Sequence, residues 1–291
     1  MRRCTLKGPA TFEGVGLFTG HRGAVVITPG ASGLRFVQAG VAVPASVTSL
    51  LGAAERSPFP TGVAARNTTL VGPRGGMIAT VEHVLSAIVG LGVTDAEIEI
   101  RGLEVPIMDG SAEPIVDAIA AAGGLVQIEG DARPVMVERP IDVRSAGGAT
   151  IIATPRTQPG WSCSYTIDYG GRGGIAEHTV GWDGRAATYQ VDVAPARTFC
   201  LRTEAEAMRA KGLFAHLTPR EMLVLDDASG VPIENTLRFP DEPARHKLLD
   251  LIGDLALLGR PLQADVRAER SGHALTHELC RAILAHERTP G

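Results

Sequence analysis

The segment RHKLLDLIGD, residues 245–254, carries the pattern that most strongly constrains the fold. His246, Asp250 and Asp254 recur every four residues, so on an α-helix their side chains lie one above another on a single face. Leucine and isoleucine residues interleave with them, which predicts a largely buried helix. Buried carboxylates and imidazoles need a partner, and a divalent metal ion is one. The segment therefore predicts a buried helix that carries metal ligands, with a solvated stripe of ion pairs as the alternative.

The composition is that of a soluble globular protein long enough for two domains. The chain has 291 residues, of which 44% are hydrophobic and 21% are charged. The net charge is −4 without a basic block, which argues against nucleic-acid binding, although separated lysines and arginines could bind one phosphorylated ligand. The four cysteines are widely spaced, so we expect neither a cysteine zinc site nor a disulfide framework, but a reducing, cytoplasmic compartment. The sequence shows neither a signal peptide nor an apolar run long enough to be transmembrane.

The order of predicted elements repeats along the chain. In each half, several short strands precede a helix that ends at glycine, and a strand and a second helix follow. Aligning His83 with His246 also aligns Gly90 with Gly253, although a match this short can arise by chance. The repeat indicates an internal duplication of one α+β unit. We divide the chain into domains at 1–128 and 129–291, and we expect the two equivalent helices to face each other.

Facing helices would bring several reactive side chains together. The candidate metal ligands are two imidazoles and one carboxylate, from His83, His246 and Asp250. This is the ligand set of a catalytic zinc site that keeps one position for water. Glu82 adjoins a ligand, so its carboxylate could accept a proton from that water. His273 could donate a proton to a leaving amine, and Asp254 could orient this imidazole and favour its charged form.

Ordinary structural roles stay open for several motifs. A Glu-His pair at a helix start is often a capping feature, and a Ser-Gly-His sequence is often a turn. GVGLFTG, residues 14–20, lacks the spacing of a dinucleotide-binding motif and is interpreted as a tight hairpin. YGGRGG, residues 169–174, is interpreted as a loop, with a phosphate cradle as the alternative. The remaining histidines are expected at the surface: His21, His178, His216, His277 and His286.

Several segments together resemble the zinc-dependent UDP-3-O-acyl-N-acetylglucosamine deacetylases of lipid A biosynthesis. They are TVEHVLSAIVGLG, EVPIMDGSAEP, ARTF, LRFPDEPARHKLLDLIGDLALLG and SGHAL, in the order of that family. TLKGPATFEGVGLFTG resembles the family's opening hairpin, so the similarity spans nearly the whole chain. It implies an α+β fold of two similar domains, each a small mixed or antiparallel sheet packed on helices, with the active site between the domains. We expect a cytoplasmic monomer that acts on a UDP-linked acylated amino sugar.

The resemblance also implies a role for each matched residue. The implied ligands of Zn²⁺, or of Fe²⁺, are His83, His246 and Asp250. The implied catalytic residues are Glu82 as general base, His273 as general acid, Asp254 as its support and Thr198 as a hydroxyl that stabilises the oxyanion. The implied substrate contacts are Lys247 near the sugar and diphosphate, Tyr169 at the nucleotide, Phe199 without a stated part of the substrate, and Leu213, Phe214 and Leu217 around the acyl chain. The last four belong to an inserted element at about 199–227.

The chain departs from the family pattern in segments that face the substrate. Phe18 stands where a histidine is usual, and Thr276 where an asparagine is usual. Residues 214–221 replace a segment that commonly contains a Gly-Gly pair. The implied reaction is removal of the N-acetyl group from UDP-3-O-acyl-N-acetylglucosamine. Because of the departures, we keep two alternatives: a related deacetylase that acts on another N-acetylated sugar or nucleotide sugar, and a non-catalytic binding protein that kept the fold.

Overall fold

Short strands in two sets form the framework of the computed structural model, which describes residues 1–52, 66–218 and 221–287. The first set is β1 (Arg2–Leu6), β2 (Ala10–Val15), β3 (Arg22–Pro29), β4 (Leu34–Gln38), β5 (Val41–Pro44), β6 (Thr69–Val71), β7 (Met77–Ala79), β8 (Ala96–Arg101) and β9 (Leu125–Asp131). The second set is β10 (Val135–Met136), β11 (Ile141–Arg144), β12 (Thr150–Thr154), β13 (Ser162–Ile167), β14 (His178–Trp182), β15 (Phe199–Leu201), β16 (Leu223–Leu225), β17 (Leu262–Gln263) and β18 (Asp265–Glu269).

The two main sheets have the same topology. Their strand orders are β2-β3-β8-β4-β5 and β11-β12-β18-β13-β14. In each sheet the last strand of the chain order lies in the middle, where it pairs parallel with one neighbour, β4 or β13, and antiparallel with the other. The remaining pairs of these sheets are antiparallel. The repeated order of elements that the sequence predicted is therefore confirmed.

Two pairs of helices occupy equivalent positions in the two halves. The α-helices are α1 (Glu82–Gly90), α2 (Glu113–Ala121), α3 (Ala186–Thr188), α4 (Arg202–Ala210), α5 (Glu242–Leu255) and α6 (His273–Glu287). Helix α1 precedes β8 and α2 follows it, as α5 precedes β18 and α6 follows it, so α1 is equivalent to α5 and α2 to α6. Small sheets packed with helices form an α+β fold, as predicted. In the described part of the chain, no helix has both the length and the apolar character needed to cross a membrane.

Helices α1 and α5 pack against each other at the centre of the molecule. All residues of α1 except Val89 are buried, in keeping with a sequence that is apolar on nearly every face. Gly253 of α5 permits the close approach, since a Cβ added there would lie 2.0 Å from the carbonyl oxygen of Glu82. The start of α1 is thereby held directly against the face of α5 that carries the predicted ligands.

Three further features bear on the predictions. The segment 14–20 lies in the hairpin of β2 and β3, as predicted: residues 14–15 end β2, and the connection to β3 follows. The element at about 199–227 contains β15, α4 and β16, with β15 and β16 paired in parallel; its residues 219–220 lie outside the described residues. Strand β9 pairs with β1 and runs across the predicted domain boundary at 128/129. The division into 1–128 and 129–291 stays a prediction.

Candidate active site

Three buried side chains from the two central helices converge on one point. His83 comes from α1, and His246 and Asp250 lie one turn apart on α5. Asp250 Oδ1 is 3.7 Å from His83 Nε2 and 3.4 Å from His246 Nε2. The two rings are 5.0 Å apart and nearly perpendicular. One donor atom from each residue lies within 4.8 Å of the others, so the set could hold a metal ion.

The chemistry of these three groups suits a divalent cation. Burial and the neighbouring His246 lower the pKa of His83 to about 3, and burial lowers the pKa of His246. Both imidazoles are therefore neutral at pH 7, the form that binds metal. The Ala196 carbonyl accepts a hydrogen bond of 3.1 Å from His246 Nδ1, which fixes the proton on that nitrogen and leaves Nε2 with a free lone pair.

Asp250 is held as a carboxylate by the charges around it. Burial alone would raise the pKa of Asp250, but Lys247 and the neighbouring histidines hold it far below its usual range. Lys247 Nζ donates a hydrogen bond of 2.8 Å to Oδ2, the oxygen that is not shared with His83 and His246. Lys247 therefore contacts the candidate metal ligand Asp250, and its predicted contact with the sugar and diphosphate stays a prediction.

The second carboxylate of α5 pairs with a different histidine. His273, at the start of α6, donates from Nδ1 to Asp254 Oδ2 at 2.8 Å. Burial alone would lower the pKa of His273, but Asp254 and Asp250 raise it to about 9. His273 Nε2 lies 4.0 Å from Asp250 Oδ2. A pKa of about 9 favours the protonated form of this imidazole at pH 7, beside the candidate metal ligands.

Two partners of Asp254 were missed by the sequence analysis. Thr68 Oγ1 donates to Asp254 Oδ1 at 2.5 Å, and His277 Nε2 lies 3.5 Å from the same oxygen. The expectation that His277 lies at the surface was therefore wrong, because it packs beside His273, with ring centroids 6.4 Å apart. The i,i+4 spacing of these two histidines could have indicated one helix face. No sequence pattern pointed to Thr68.

Glu82 is buried at the start of α1, next to the ligand His83. Burial raises the pKa of Glu82 to about 8, and the carboxylates of Asp250 and Asp254 act in the same direction. Its Oε2 accepts a hydrogen bond of 3.0 Å from the Thr68 backbone N–H. A carboxyl group with a pKa near neutrality can accept a proton and release it again.

The predicted catalytic and substrate residues line one cleft of about 640 Å³, except Asp254, Leu213 and Leu217. Thr198 borders it and is fixed by backbone hydrogen bonds to Gly110 and Leu223. Phe199 lies against His246, with ring centroids 6.5 Å apart, and Tyr169 lies against Phe199 at 6.3 Å. Glu82, His83, His246, Lys247, Asp250 and His273 border the same cleft.

The predicted acyl-chain residues divide between two positions. Phe214 borders the cleft, whereas Leu213 is buried in the apolar cluster around it and is not among the residues that line the cleft. Leu217 belongs to the same cluster. This cluster is the apolar end of the cleft.

A second cleft of about 480 Å³ joins the first and is mainly cationic. Both clefts are bordered by Arg66, Tyr169, Glu204, Lys247, Arg270 and Ser271. With Arg172, the second cleft has four cationic side chains against the carboxylates of Asp168 and Glu204. Gly170 of the glycine-rich segment 169–174 also borders it. The sequence pointed to Tyr169, Lys247 and, as an alternative, the segment 169–174 that contains Arg172, but not to Arg66 or Arg270, because these arginines are far apart in the chain.

Comparison with known proteins identifies the relatives of this chain. Residues 3–285 match the family model described as LpxC: UDP-3-O-acyl N-acetylglycosamine deacetylase. A protein of Anaeromyxobacter dehalogenans named UDP-3-O-acyl-N-acetylglucosamine deacetylase is 35% identical over 276 residues, which cover 94% of this chain and 84% of the relative. A protein of a Geobacter species with the same name is 34% identical over 281 residues, covering 96% of this chain and 88% of the relative.

Proposed function

Because this chain belongs to the family of UDP-3-O-acyl N-acetylglycosamine deacetylases, we propose that it removes the N-acetyl group from UDP-3-O-acyl-N-acetylglucosamine. This hydrolysis is the committed step of lipid A biosynthesis. The observation that carries the proposal is the convergence of His83, His246 and Asp250 beside Glu82 and His273 in one cleft. The products are acetate and a sugar with a free amine.

His83, His246 and Asp250 would hold the metal, which we propose to be Zn²⁺, with Fe²⁺ as the second choice. Two neutral imidazoles and one carboxylate suit either ion, and the hydrogen bond to Ala196 directs His246 Nε2 toward the site. When bound, the ion supplies Lewis-acid polarisation of the scissile carbonyl and lowers the pKa of a coordinated water. Lys247 keeps Asp250 ionised and oriented.

Glu82 and His273 divide the proton transfers between them. Glu82 accepts the proton of the attacking water, since its carboxyl group adjoins the ligand His83 and is held by the Thr68 N–H. His273 donates its Nε2 proton to the departing sugar nitrogen, because Asp254 keeps this imidazole charged through its other nitrogen. A bound dication would lower the pKa of both groups, which favours Glu82 as the base at neutral pH.

The remaining polar groups would bind substrate. The Thr198 hydroxyl borders the cleft and would donate to the oxyanion as charge develops on the carbonyl oxygen. The cationic cleft with Arg66, Arg172 and Arg270 suits a diphosphate, and Tyr169 would contact the nucleotide. Phe199 and Phe214 would contact the acyl part.

We propose that the chain works as a monomer in the cytoplasm. Every side chain of the candidate site comes from one chain, which supports a monomer. Sedimentation analysis would test the monomeric state. The four cysteines are unpaired, which supports a reducing compartment.

The proposed function is tested by mass spectrometry of UDP-3-O-acyl-N-acetylglucosamine incubated with the zinc-loaded protein. We expect conversion to the free amine with release of acetate, and no conversion after removal of metal. Zinc-loaded protein that is inactive on this substrate would contradict the proposal.

The same assay with UDP-N-acetylglucosamine, which lacks the acyl chain, separates the alternatives. A strong dependence on the acyl chain would exclude a deacetylase for another N-acetylated sugar. Failure to hydrolyse either compound, together with an absence of bound metal after mild purification, would favour a binding protein that kept the fold.

A further inference from the structure

The catalytic cleft ends at a wall of three apolar side chains: Phe18, Phe214 and Met222. All three border the cleft, and each is no more than 5% exposed. The rings of Phe18 and Phe214 lie against each other with centroids 5.5 Å apart. Phe214 and Met222 also border an outer cavity of about 370 Å³. These two side chains therefore separate the catalytic cleft from the outer cavity.

The outer cavity has apolar side chains next to the wall and charged side chains beyond them. Ala205 and Leu217 border it, and both belong to the same apolar cluster as the wall, against which Val224 also packs. Its charged side chains are those of Arg202, Glu206, Arg209 and Glu234. An alkyl chain that passed the wall would therefore bury some apolar area against the first group, which is favourable, but it would also meet charged groups.

The wall is braced from both sides. His216 Nε2 donates a hydrogen bond of 2.9 Å to the Gly16 carbonyl and so ties the segment that carries Phe214 to the turn that carries Phe18. On the other side, the buried carboxylate of Glu104 accepts from the Phe18 N–H at 3.0 Å and from the Thr19 N–H at 2.8 Å. These hydrogen bonds hold the two chain segments that carry Phe18 and Phe214, so the rings resist displacement by a ligand.

Phe214 is also held in an unfavourable backbone conformation. Its φ is +58°, in the left-handed region that residues other than glycine rarely adopt. Such a conformation persists only when the surrounding contacts impose it. Here the contacts with Phe18 and the brace through His216 hold the ring of Phe214 across the end of the cleft.

We propose that Phe214, with Phe18 and Met222, sets the longest acyl chain that the active site accepts. The proposal rests on the proposed function, which supplies the acyl substituent of the substrate. A chain that fits within the cleft binds in contact with the wall, whereas a longer chain must displace a braced aromatic ring. Substrate preference then falls sharply beyond one chain length.

The test compares kcat/KM for a series of UDP-3-O-acyl substrates of increasing chain length. For the natural sequence we expect a fall of roughly tenfold or more for the first chain that is too long, the size of a steric effect of one or two methylenes. In Phe214→Gly, glycine adopts the positive φ without strain, and removal of the ring joins the cleft to the outer cavity. The ratio of long-chain to short-chain kcat/KM should then rise by roughly tenfold.

Two further variants complete the test. Met222→Ala removes a second side chain of the wall and should also raise the ratio of long-chain to short-chain kcat/KM. This variant tests the proposal if Phe214→Gly does not fold. Met208→Ala is the matched control, because Met208 borders the cleft but not the outer cavity. Its ratio should stay at the natural value.

The outcomes separate this proposal from the proposed function. A protein inactive on every chain length would overturn the proposed function itself. An active protein without a length limit, or one whose limit is the same in Phe214→Gly and Met222→Ala, would overturn the wall and leave the deacetylase in place.

Discussion

At the scale of single residues, two carboxylates one turn apart on α5 have different partners. Asp250 faces His83 and His246, while Asp254 pairs with His273. Charged neighbours hold the pKa of each carboxyl far below its usual range despite burial. One face of α5 therefore carries two carboxylates one turn apart. The Asp250 carboxylate suits a metal ion, and the Asp254 carboxylate suits a protonated imidazole.

The role of Glu82 predicts the effect of Glu82→Gln. The glutamine amide oxygen can still accept the Thr68 N–H, so the fold and the three metal ligands should be retained. Loss of the general base should lower kcat on the order of 10²–10⁴-fold. Metal analysis and steady-state kinetics on one sample check both parts, and Glu278→Gln at the rim of the same cleft is the control. Near-natural turnover in Glu82→Gln would show that another group accepts the proton.

The pairing of Asp254 with His273 predicts a pH effect. As the proposed general acid, His273 would act in its protonated form, so activity should fall as pH rises through its pKa. Asp254 raises that pKa, and its removal in Asp254→Asn should therefore move the basic limb of the pH profile of kcat/KM to lower pH, by roughly one to three pH units. The acidic limb serves as the internal control. A basic limb that stays in place would remove His273 from the role of acid.

The sequence predicted the site residues that share a helix face or adjoin another site residue in the chain. His246, Asp250 and Asp254 share a helix face, and Glu82 adjoins His83. Thr68 escaped prediction because it lies just before the three-residue strand β6, where no periodicity can form. The arginines of the cationic cleft come from separate segments, and only the folded chain brings them together.

At the scale of elements, the contact between α1 and α5 sets the geometry of the site. Each helix carries candidate ligands of the metal centre, and Gly253 permits a close approach of the two helices. The sequence predicted both helices and their glycines. It did not predict the short paired strands β6–β7 and β15–β16, because three residues are too few to show strand alternation.

The close approach at Gly253 predicts the effect of Gly253→Ala. The added methyl group would overlap the Glu82 carbonyl, so the start of α1 must move away from α5. We expect a loss of stability of about 1–3 kcal/mol, as for overpacked cores, and weaker metal binding. Thermal unfolding and metal titration measure the two effects. Gly147→Ala should change neither, because its Cβ would make only an ordinary contact, 3.7 Å from Ser145 Oγ. Equal metal affinity in Gly253→Ala would mean that α1 does not position a ligand.

At the scale of the whole molecule, the candidate metal centre joins the two repeated halves. His83 belongs to the first unit of the repeat, and His246 and Asp250 belong to the second. A ligand that binds only the folded protein stabilises it, so a metal ion here would act as a cross-link between the halves.

Metal removal should therefore lower thermal stability. At a free metal concentration of roughly 100 times Kd, the stabilisation is about 2.7 kcal/mol, and a chelator should abolish it. Differential scanning calorimetry with and without chelator measures the change in Tm. His83→Ala should lose the metal-dependent part of Tm, whereas His21→Ala, at an exposed histidine, should keep it. A Tm that does not respond to chelation would argue against a metal between the halves.

We propose above all that His83, His246 and Asp250 bind one metal ion together. Anomalous diffraction from a crystal of the zinc-loaded protein, recorded on both sides of the zinc absorption edge, tests it most directly. We expect a single strong anomalous peak per chain among His83 Nε2, His246 Nε2 and an oxygen of Asp250. A peak elsewhere, or a peak that His83 does not contact, would contradict it.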